Sequence, residues 1–488
     1  MTAGDGGAAP GAGLAALENR VREDLRRIDY PSLPWVPPRR ASNGQAVLDV
    51  AIIGGGQGGL AAAFGLLREK VSAIRVFDRN PAGTEGPWVT FARMITLRTP
   101  KHVTGPDGGI PSLTPRAWYE ASHGSAAWEA LNKIPREDWQ SYLGWFRRVL
   151  ELPVENNSSV VAIEPVTEGG NTLLRLSVEG PDGAVRPVLA RKVVLATGMD
   201  GGGAWNVPDV IRQGLPPDRY AHTAQEIDFA RLRGKRIGVL GAGASAFDNA
   251  ATALEHGAAS VTLCVRRREL PRINPYRWME NAGFLGHFAS LPDLQRWRFM
   301  RHIFELNQPP PQDTFWRCRR HPNFSMLTGC AWQDVRMNGD AIAVTTPDGQ
   351  LDFDFLVVGT GFLVDLGLRP ELSAVAGHVA LWRDRFAPPP GEEHAGLGSH
   401  PYLGDGFQFL ERVPGSCPAL AHIHNFTFGA TPSMGLSGAS ISGMRYGVAR
   451  LVSALCRSLF REDAEAHLDS LLRYDTAELV SLEPPQTA

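Results

Sequence analysis

The chain has 488 residues, of which 43% are hydrophobic and 20% charged, and its formal net charge is −2. That length exceeds one ordinary hydrophobic core and fits two or three domains. The balanced charge argues against a nucleic-acid or anionic-membrane partner, and no uncharged apolar run reaches the roughly 20 residues that a membrane span needs.

The N-terminal 47 residues precede the first core strand. Residues 1–13 are small and of low complexity, so we expect a disordered tail. Apolar residues then recur at helical spacing, and the prolines of DYPSLPWVPPR stop the pattern. This predicts an amphipathic helix over residues 15–28 and a proline-rich linker up to residue 47. No basic-then-apolar signal is present, so the expected location is the cytoplasm.

Residues 48–60, LDVAIIGGGQGGL, pass from a continuous apolar run into glycines and then into a helical pattern. Such a run is typical of a strand buried on both faces of a parallel sheet. Gly54, Gly56 and Gly59 form G-x-G-x-x-G, with Gln57 inside it. The first glycine permits the tight turn, the second lets a pyrophosphate approach, and the third lets helix and strand pack closely.

A second strand, AIRVF, follows the predicted helix and ends at Asp78. That acid lies close to the spacing at which a carboxylate accepts hydrogen bonds from ribose hydroxyls, so we take Asp78 as a ribose ligand. The spacing of strand, glycines, helix, strand and acid together predicts a first dinucleotide site. A glycine triplet alone could be an ordinary turn.

The irregular segment over residues 80–106 is rich in Gly, Pro, Trp and Arg. A long irregular stretch directly after a nucleotide half-site is more often functional than spare. The residues that could face a bound ring or its substrate are Trp88, Arg93, Arg98, Thr99 and Lys101. The alternative is that the arginines make surface ion pairs and that Trp88 fills the core.

Residues 136–150 have the pattern of an amphipathic helix that turns Trp139, Leu143 and Phe146 inward. From residue 152 the apolar pattern alternates, with a PDG turn, which predicts a small antiparallel meander attached to the parallel sheet. Val160 could contact an adenine through its backbone or simply belong to the core.

The run VVLATG, residues 193–198, re-enters the main sheet and places Thr197 and Gly198 at its end. Three glycines at residues 201–203 then indicate a hinge and a domain boundary.

A second nucleotide unit follows. The strand GKRIGVL leads into Gly241, Gly243 and Ala246, which form G-x-G-x-x-A around Ser245. The helical pattern after it is closed by Gly257.

The next strand, SVTLCV, ends in Arg266, Arg267 and Arg268. An NAD site typically has a carboxylate at this position, whereas arginines favour the 2′-phosphate of NADPH. The pattern therefore predicts NADPH over NADH. A solvated basic strand end is the alternative.

The remaining segments return to the first unit. Residues 272–334 form an aromatic- and proline-rich insertion that could supply a substrate wall or a structural cap. A hairpin leads to a buried strand before Gly359, which we expect to rejoin the first sheet next to Gly361 and Phe362. The small residues around Met434 and Gly435 then lead into a helix whose N-terminus could approach an electron-rich ring.

These boundaries predict a first nucleotide domain over residues 48–200 and 351–488 and a second over residues 201–350. The predicted fold class is therefore α/β, with two Rossmann-like dinucleotide-binding domains, the second inserted into the first. The odd number of scattered cysteines, without a C-x-x-C pair, favours a reducing compartment and excludes a vicinal redox dithiol. No metal site is expected.

The two glycine fingerprints, the ATG at residues 196–198, His222 in YAHTAQEIDF, and GTGF with Asp365 resemble the class B flavoprotein monooxygenases. That group contains flavin-containing, N-hydroxylating and Baeyer–Villiger monooxygenases. The resemblance covers residues 48–451, and His222 matches the histidine of the group's linking fingerprint. It implies FAD in the first site and NADPH in the second.

The resemblance also implies the chemistry. NADPH passes a hydride to flavin N5, the reduced flavin reacts with O2, and a C4a-(hydro)peroxyflavin delivers one oxygen atom to a small organic substrate. A cation near the distal oxygen would favour the peroxy anion, which attacks carbonyls, whereas the protonated form attacks nitrogen or sulfur. Arg98, with Arg93 beside it, is the predicted cation, and the choice between the two reactions stays open.

Two other functions fit the same domains. One is an FAD- and NADPH-dependent reductase or dehydrogenase without oxygen insertion, and the other is a non-catalytic nucleotide-binding protein.

Overall fold

The computed structural model describes residues 12–102 and 105–479. The predicted tail over residues 1–13 lies outside the described residues except for its last two, which begin the first helix. In chain order the helices are α1 (Ala12–Arg27), α2 (Gln57–Arg68), α3 (Pro115–His123), α4 (Ser125–Ala130), α5 (Arg136–Val149), α6 (Asp209–Gly214), α7 (Ala244–Glu255), α8 (Pro275–Met279), α9 (Ala282–His287), α10 (Asp293–Leu306), α11 (Gln312–Arg319), α12 (Trp382–Arg385), α13 (Ala395–Gly398), α14 (Thr431–Met434), α15 (Met444–Glu462) and α16 (Ala464–Leu472).

The strands are, in chain order, β1 (Arg39–Arg40), β2 (Ala46–Ile53), β3 (Ile74–Phe77), β4 (Val154–Glu155), β5 (Ser159–Glu168), β6 (Asn171–Glu179), β7 (Val185–Leu195), β8 (Gly203–Trp205), β9 (Tyr220–His222), β10 (Arg236–Leu240), β11 (Ser260–Val265), β12 (Phe324–Thr328), β13 (Asp334–Asn338), β14 (Ala341–Thr346), β15 (Gly349–Phe353), β16 (Phe355–Val358), β17 (Phe362–Val364) and β18 (Ile423–Asn425). Across the described ranges no helix has both the length and the apolar character that crossing a bilayer requires.

The first sheet has the order β4-β3-β2-β7-β6-β5, with β1 on β2 and β18 on β7. β2 runs parallel to β3 and β7, and β18 runs parallel to β7. β5, β6 and β7 form the antiparallel meander that the alternating pattern predicts. The parallel part is buried on both faces, as the continuous apolar run of β2 requires.

The second sheet is parallel throughout, with the order β12-β11-β10-β16-β9. The prediction that the strand before Gly359 rejoins the first sheet is wrong, because β16 pairs with β10 and β9 in the second sheet. An apolar run such as FLVV indicates a buried strand but carries no information about its neighbours. The chain returns to the first sheet only at β18.

Two smaller sheets complete the architecture. β13, β14 and β15 form an antiparallel hairpin pair, and β8 pairs with β17 in a two-stranded antiparallel ribbon. Both chain connections between the two large sheets run through this ribbon, since β8 follows β7 and β17 follows β16.

α2 and α15 pack closely against each other beside the first sheet. A Cβ on Gly65 of α2 would lie 2.7 Å from Val452 Cγ2 of α15, so only glycine allows this approach. α15 thereby brings its N-terminal end close to the N-terminus of α2. The architecture confirms the predicted fold class of two dinucleotide-binding units with one inserted into the other.

Candidate active site

The first glycine loop connects β2 to α2 at the carboxyl edge of the first sheet. Gly54 has a φ of +105°, and a Cβ there would lie 2.5 Å from the carbonyl oxygen of Ala196. A Cβ on Gly59 would overlap the carbonyl oxygen of Gly54. Both positions therefore exclude a side chain, as the predicted cradle for a pyrophosphate requires.

The N-terminus of α2 has no side-chain cap. Gly56 is the N-cap residue, and no side chain accepts a hydrogen bond from the first turn. The free amides and the helix dipole of such a terminus suit a phosphate group. Gln57 follows directly, and its Oε1 accepts a hydrogen bond of 3.3 Å from Trp139 Nε1.

Asp78 lies at the end of β3 beside this loop. Its Oδ2 accepts a hydrogen bond of 2.7 Å from the amide of Gly55, and its Oδ1 accepts one of 2.8 Å from the amide of Asn80. Burial raises the pKa of the Asp78 carboxyl above its usual value, against the effect of both amides. The carboxylate thus holds the glycine loop in shape and still lies where a ribose ligand is predicted.

The end of β7 and the segment before α15 converge on the same edge. The carbonyl oxygen of Gly198, next to Thr197, accepts a hydrogen bond of 3.1 Å from the amide of Phe428. A Cβ on Gly58 of α2 would lie 2.9 Å from the carbonyl oxygen of Gly438, so the two segments touch through their backbones.

Met434 and Gly435 lie in this second segment. Met434 is buried, and Gly435 has a φ of +74° and packs against the ring of Phe288. The structure therefore brings the first glycine loop, the end of β7 and the residues before α15 together.

The irregular segment covers this convergence from the side of α5. Trp88 packs edge-on against Trp139, with ring centroids 6.3 Å apart, and its carbonyl oxygen accepts a hydrogen bond from Arg136. A Cβ on Gly56 would lie 4.0 Å from the Cα of Gly86. Trp88 thus lies close to the first glycine loop.

The two predicted catalytic arginines are bonded to protein groups. Arg98 Nη2 donates a hydrogen bond of 2.9 Å to Asp248 Oδ2, on α7 of the second unit. Arg93 donates to the carbonyl oxygen of Thr90 and lies 5.5 Å from the ring centroid of Phe229. Burial lowers the pKa of Arg93 from its usual value. Both side chains lie at the contact between the irregular segment and the second unit.

The second glycine loop repeats the geometry of the first. Gly241 has a φ of +139°, and a Cβ there would overlap the carbonyl oxygen of Gly359. Gly243 is the N-cap of α7, again without a side-chain cap, and it is followed by exposed Ser245 and buried Ala246. This loop also suits a phosphate group.

The arginines after β11 differ in their partners. Arg267 donates hydrogen bonds of 3.0 and 3.3 Å to the carbonyl oxygens of Glu305 and Leu306, at the end of α10. Arg266 is exposed and makes no hydrogen bond or ion pair to the part of the chain that the structure describes. Of the two predicted phosphate ligands, Arg266 therefore has the free guanidinium.

His222 is fully buried at the end of β9. Its Nδ1 accepts a hydrogen bond from the amide of Ala224, so its Nε2–H donates to the carbonyl oxygen of Gly361 at 2.9 Å. The ring stacks on Trp205 at 5.7 Å and meets the edge of Phe362 at 5.6 Å. Because Nδ1 accepts a hydrogen bond, the imidazole is in its neutral form, and burial lowers the pKa of His222 in the same sense. His222 fastens the β8–β17 ribbon to the second sheet.

Val160 lies near the start of β5, beside an irregularity in its pairing with β6, and is 9% exposed. A cavity of about 600 Å³ opens at the same edge of the first sheet and is bounded by Gly55, Gly83, Glu85 and Arg147. Arg147 and Glu85 form an ion pair of 2.7 Å in its wall.

Sequence reasoning missed two residues. Trp139 is predicted as a core residue of α5 but also contacts Gln57. Asp248 forms an ion pair with Arg98, and no sequence pattern indicates this because Asp248 and Arg98 are 150 positions apart. A donor-bearing indole on the inward face of the helix was the only available indication for Trp139.

Comparisons with known proteins agree with this geometry. A family model described as FAD-NAD(P)-binding matches residues 51–200, and one described as L-lysine 6-monooxygenase/L-ornithine 5-monooxygenase matches residues 128–303. An FAD-dependent urate hydroxylase from Xanthomonas campestris pv. campestris is 48% identical over 474 residues, which are 97% of this chain and 99% of that protein.

Solved structures show the same fold at low identity. An ornithine N-hydroxylase from Kutzneria, with reduced FAD, NADP+ and L-ornithine, matches with a TM-score of 0.67 and 17% identity over 84% of this chain and 99% of its own. Ornithine hydroxylase from Pseudomonas aeruginosa matches with a TM-score of 0.65 and 16% identity over 85% of this chain and 100% of its own. The two uncapped glycine loops therefore fit a pair of dinucleotide cofactors, FAD and NADPH.

Proposed function

The chain belongs to the class B flavoprotein monooxygenases, in one family with the Xanthomonas FAD-dependent hydroxylase, and from this premise we propose that it hydroxylates urate. It is an FAD-dependent NADPH monooxygenase that inserts one oxygen atom into an organic substrate. The observation that carries the proposed substrate is the 48% identity to that hydroxylase along 97% of this chain.

The proposed reaction balances with one molecule of each reactant. Urate, NADPH, a proton and O2 give hydroxylated urate, NADP+ and water. FAD, when bound, accepts the hydride and activates oxygen. The chain itself must bind both nucleotides, orient the substrate and exclude water from the reacting atoms.

We assign the first glycine loop to FAD and the second to NADPH. Asp78 accepts hydrogen bonds from the ribose hydroxyls of FAD, and the backbone beside Val160 contacts its adenine. Arg266 pairs with the 2′-phosphate of NADPH. Support for these roles comes from the uncapped helix N-termini, the position of Asp78 at the end of β3, and the free guanidinium of Arg266.

Arg98 stays the proposed cation near the reacting oxygen, with Arg93 as the second candidate. Its ion pair with buried Asp248 orients the guanidinium at the contact between the irregular segment and the second unit. The Asp248 carboxylate also accepts hydrogen bonds from Arg317 and Thr314, so it does not interact with Arg98 alone. The Asp248 pair therefore holds the Arg98 guanidinium in place.

A second candidate function is the N-hydroxylation of a primary amine. The lysine and ornithine monooxygenase model over residues 128–303 favours it. Oxygen insertion beside a ketone, the Baeyer–Villiger reaction, is a third candidate, and no comparison specifically favours it.

The deciding experiment measures NADPH oxidation, O2 uptake and product formation with four substrates: urate, L-ornithine, L-lysine and a cyclic ketone. Of the four compounds, we expect only urate to be consumed. The amount of urate lost, measured by its absorbance, should equal the amount of NADPH oxidised and the amount of O2 taken up. N-hydroxylated product from an amine would replace the urate assignment by the second candidate.

The same assay separates oxygenation from reduction. An enzyme that oxidised NADPH without O2, passing electrons to another acceptor, would be a reductase, as are the bacillithiol disulfide reductases that share this fold. Peroxide release without product would show that none of the four compounds is the substrate.

A further inference from the structure

We propose that Trp139 is a positioning residue for FAD, acting through Gln57. The proposal rests on the assignment of FAD to the first glycine loop. Trp139 belongs to α5, whose sequence pattern indicates only a core-packing helix. Its indole nonetheless reaches the first residue of α2.

The hydrogen bond fixes which way the Gln57 carboxamide points. An indole N–H can only donate, so the atom of Gln57 that faces Trp139 must be the oxygen Oε1. The Nε2 amide group then points away from Trp139. It makes no hydrogen bond to the described residues, and its two protons remain available to an acceptor.

The position of Gln57 makes a FAD oxygen that acceptor. Gln57 follows Gly56, the glycine whose missing side chain lets a phosphate approach, and it begins the uncapped turn of α2. An amide donor added to the backbone donors of that turn suits a phosphate or carbonyl oxygen of FAD.

Trp139 can hold this orientation because its own ring is immobilised. The indole is 1% exposed and packs against Tyr142 at 5.2 Å and Trp88 at 6.3 Å. A Cβ on Gly105 would lie 3.0 Å from Trp139 Cη2, so the backbone closes the remaining side.

α5 is also tied to the irregular segment by backbone hydrogen bonds. The amide of Arg136 donates to the carbonyl oxygen of Ile95, and the amide of Leu97 donates to that of Ile134. α5 therefore positions the irregular segment and the Gln57 carboxamide together.

The test is a double-mutant cycle read out as the dissociation constant of FAD, from flavin fluorescence during titration of the apoprotein. We expect Gln57→Met, which removes the donor, to weaken FAD binding by roughly fivefold. Trp139→Phe, which keeps an aromatic ring but removes the indole N–H, should weaken it by roughly threefold. In the Gln57→Met background Trp139→Phe should have no further effect.

Trp118→Phe is the matched control. Trp118 is also buried and packs against Tyr142, but its indole N–H makes no hydrogen bond to the residues that the structure describes. The substitution Trp118→Phe should leave the FAD dissociation constant unchanged. Thermal unfolding of each apoprotein reports whether packing was disturbed.

The inference is overturned if Trp139→Phe weakens FAD binding as much in the Gln57→Met background as in the wild type, or no more than Trp118→Phe does. A wild-type protein that binds no FAD would contradict the proposed function itself. The two failures are therefore distinguishable.

Discussion

Single residues at the strand ends are proposed to distinguish the two nucleotide sites. Asp78 ends β3 in the first unit, whereas Arg266 follows β11 in the second. A carboxylate accepts hydrogen bonds from free ribose hydroxyls and repels a 2′-phosphate, while a guanidinium binds that phosphate. The sequence shows both residues directly, because each is adjacent to the strand that positions it.

Replacing Asp78 by Ala should impair FAD binding. We expect the dissociation constant of FAD to rise roughly tenfold or more, since a charged acceptor for ribose and for the amide of Gly55 is lost. The ratio of NADPH to NADH use should not change, because Asp78 lies in the other unit. Titration with FAD and steady-state kinetics with both coenzymes measure the two effects, and a changed coenzyme ratio would contradict the assignment.

The arginines after β11 should differ in their effect on coenzyme choice. Arg266→Ala is expected to raise the KM for NADPH roughly tenfold and to leave the KM for NADH unchanged, because one charged hydrogen bond to a phosphate is lost. Arg267→Ala should have a smaller effect on the preference, since that guanidinium is bonded to the end of α10. If Arg267→Ala proved the more damaging of the two, the phosphate ligand would be Arg267.

At the scale of elements, the glycine loops depend on close backbone contacts. Gly59→Ala would place a Cβ onto the carbonyl oxygen of Gly54, and we expect a loss of about 1–3 kcal/mol in the free energy of unfolding. Gly144→Ala is the matched control. Gly144 lies inside α5 with no atom within 4 Å of its added Cβ, and the substitution should stabilise the protein by about 0.5–1 kcal/mol.

Urea unfolding of both variants measures the difference. Equal effects of the two substitutions would show that the first loop tolerates a side chain and would remove the main structural argument for a phosphate there.

α5 and β16 show how far an apolar pattern can be interpreted. Trp139, Leu143 and Phe146 of α5 are buried as predicted, since helical spacing defines one face. The same face also carries the hydrogen bond to Gln57, which spacing does not reveal. In β16 the apolar run correctly indicates a buried strand, but its sheet was predicted wrongly because every parallel strand has a similar run.

At the scale of the whole molecule, buried charges connect distant parts of the chain. Arg191 of β7 forms ion pairs of 2.8 Å with Asp463 and 3.1 Å with Glu462, at the end of α15. Asp49 of β2 joins the same cluster at 3.4 Å, and burial raises its pKa to about 6. The cluster fixes the far end of the helix whose beginning lies beside the first glycine loop.

Buried histidines should make the protein sensitive to acid. Burial lowers the pKa of His424 to about 4, so the folded protein excludes a proton that the unfolded chain binds below about 6.5. Its stability contribution is complete above pH 6.5 and falls as the pH approaches 4. His424→Asn, whose amide can still donate to the carbonyl oxygen of Gly406, should reduce the loss of stability between pH 7 and 5 by about 2 kcal/mol.

Chemical unfolding at both pH values tests this, with exposed His302→Asn as the control. An identical pH dependence in the wild type and in His424→Asn would show that His424 does not titrate with folding.

The sequence by itself determined the two glycine loops, the acid and the arginines at the strand ends, the meander and the fold class. Each depends on residues close together in the chain: a glycine at a turn, a polar residue at a strand end, or an alternating pattern. These are local consequences of backbone geometry.

Only the tertiary structure decided the sheet to which β16 belongs, the pairing of Arg98 with Asp248, and the contact of Trp139 with Gln57. These contacts join residues that are 82 to 150 positions apart. Their partners are set by how helices and sheets pack, and packing depends on the shape of the whole assembly, which no short pattern encodes.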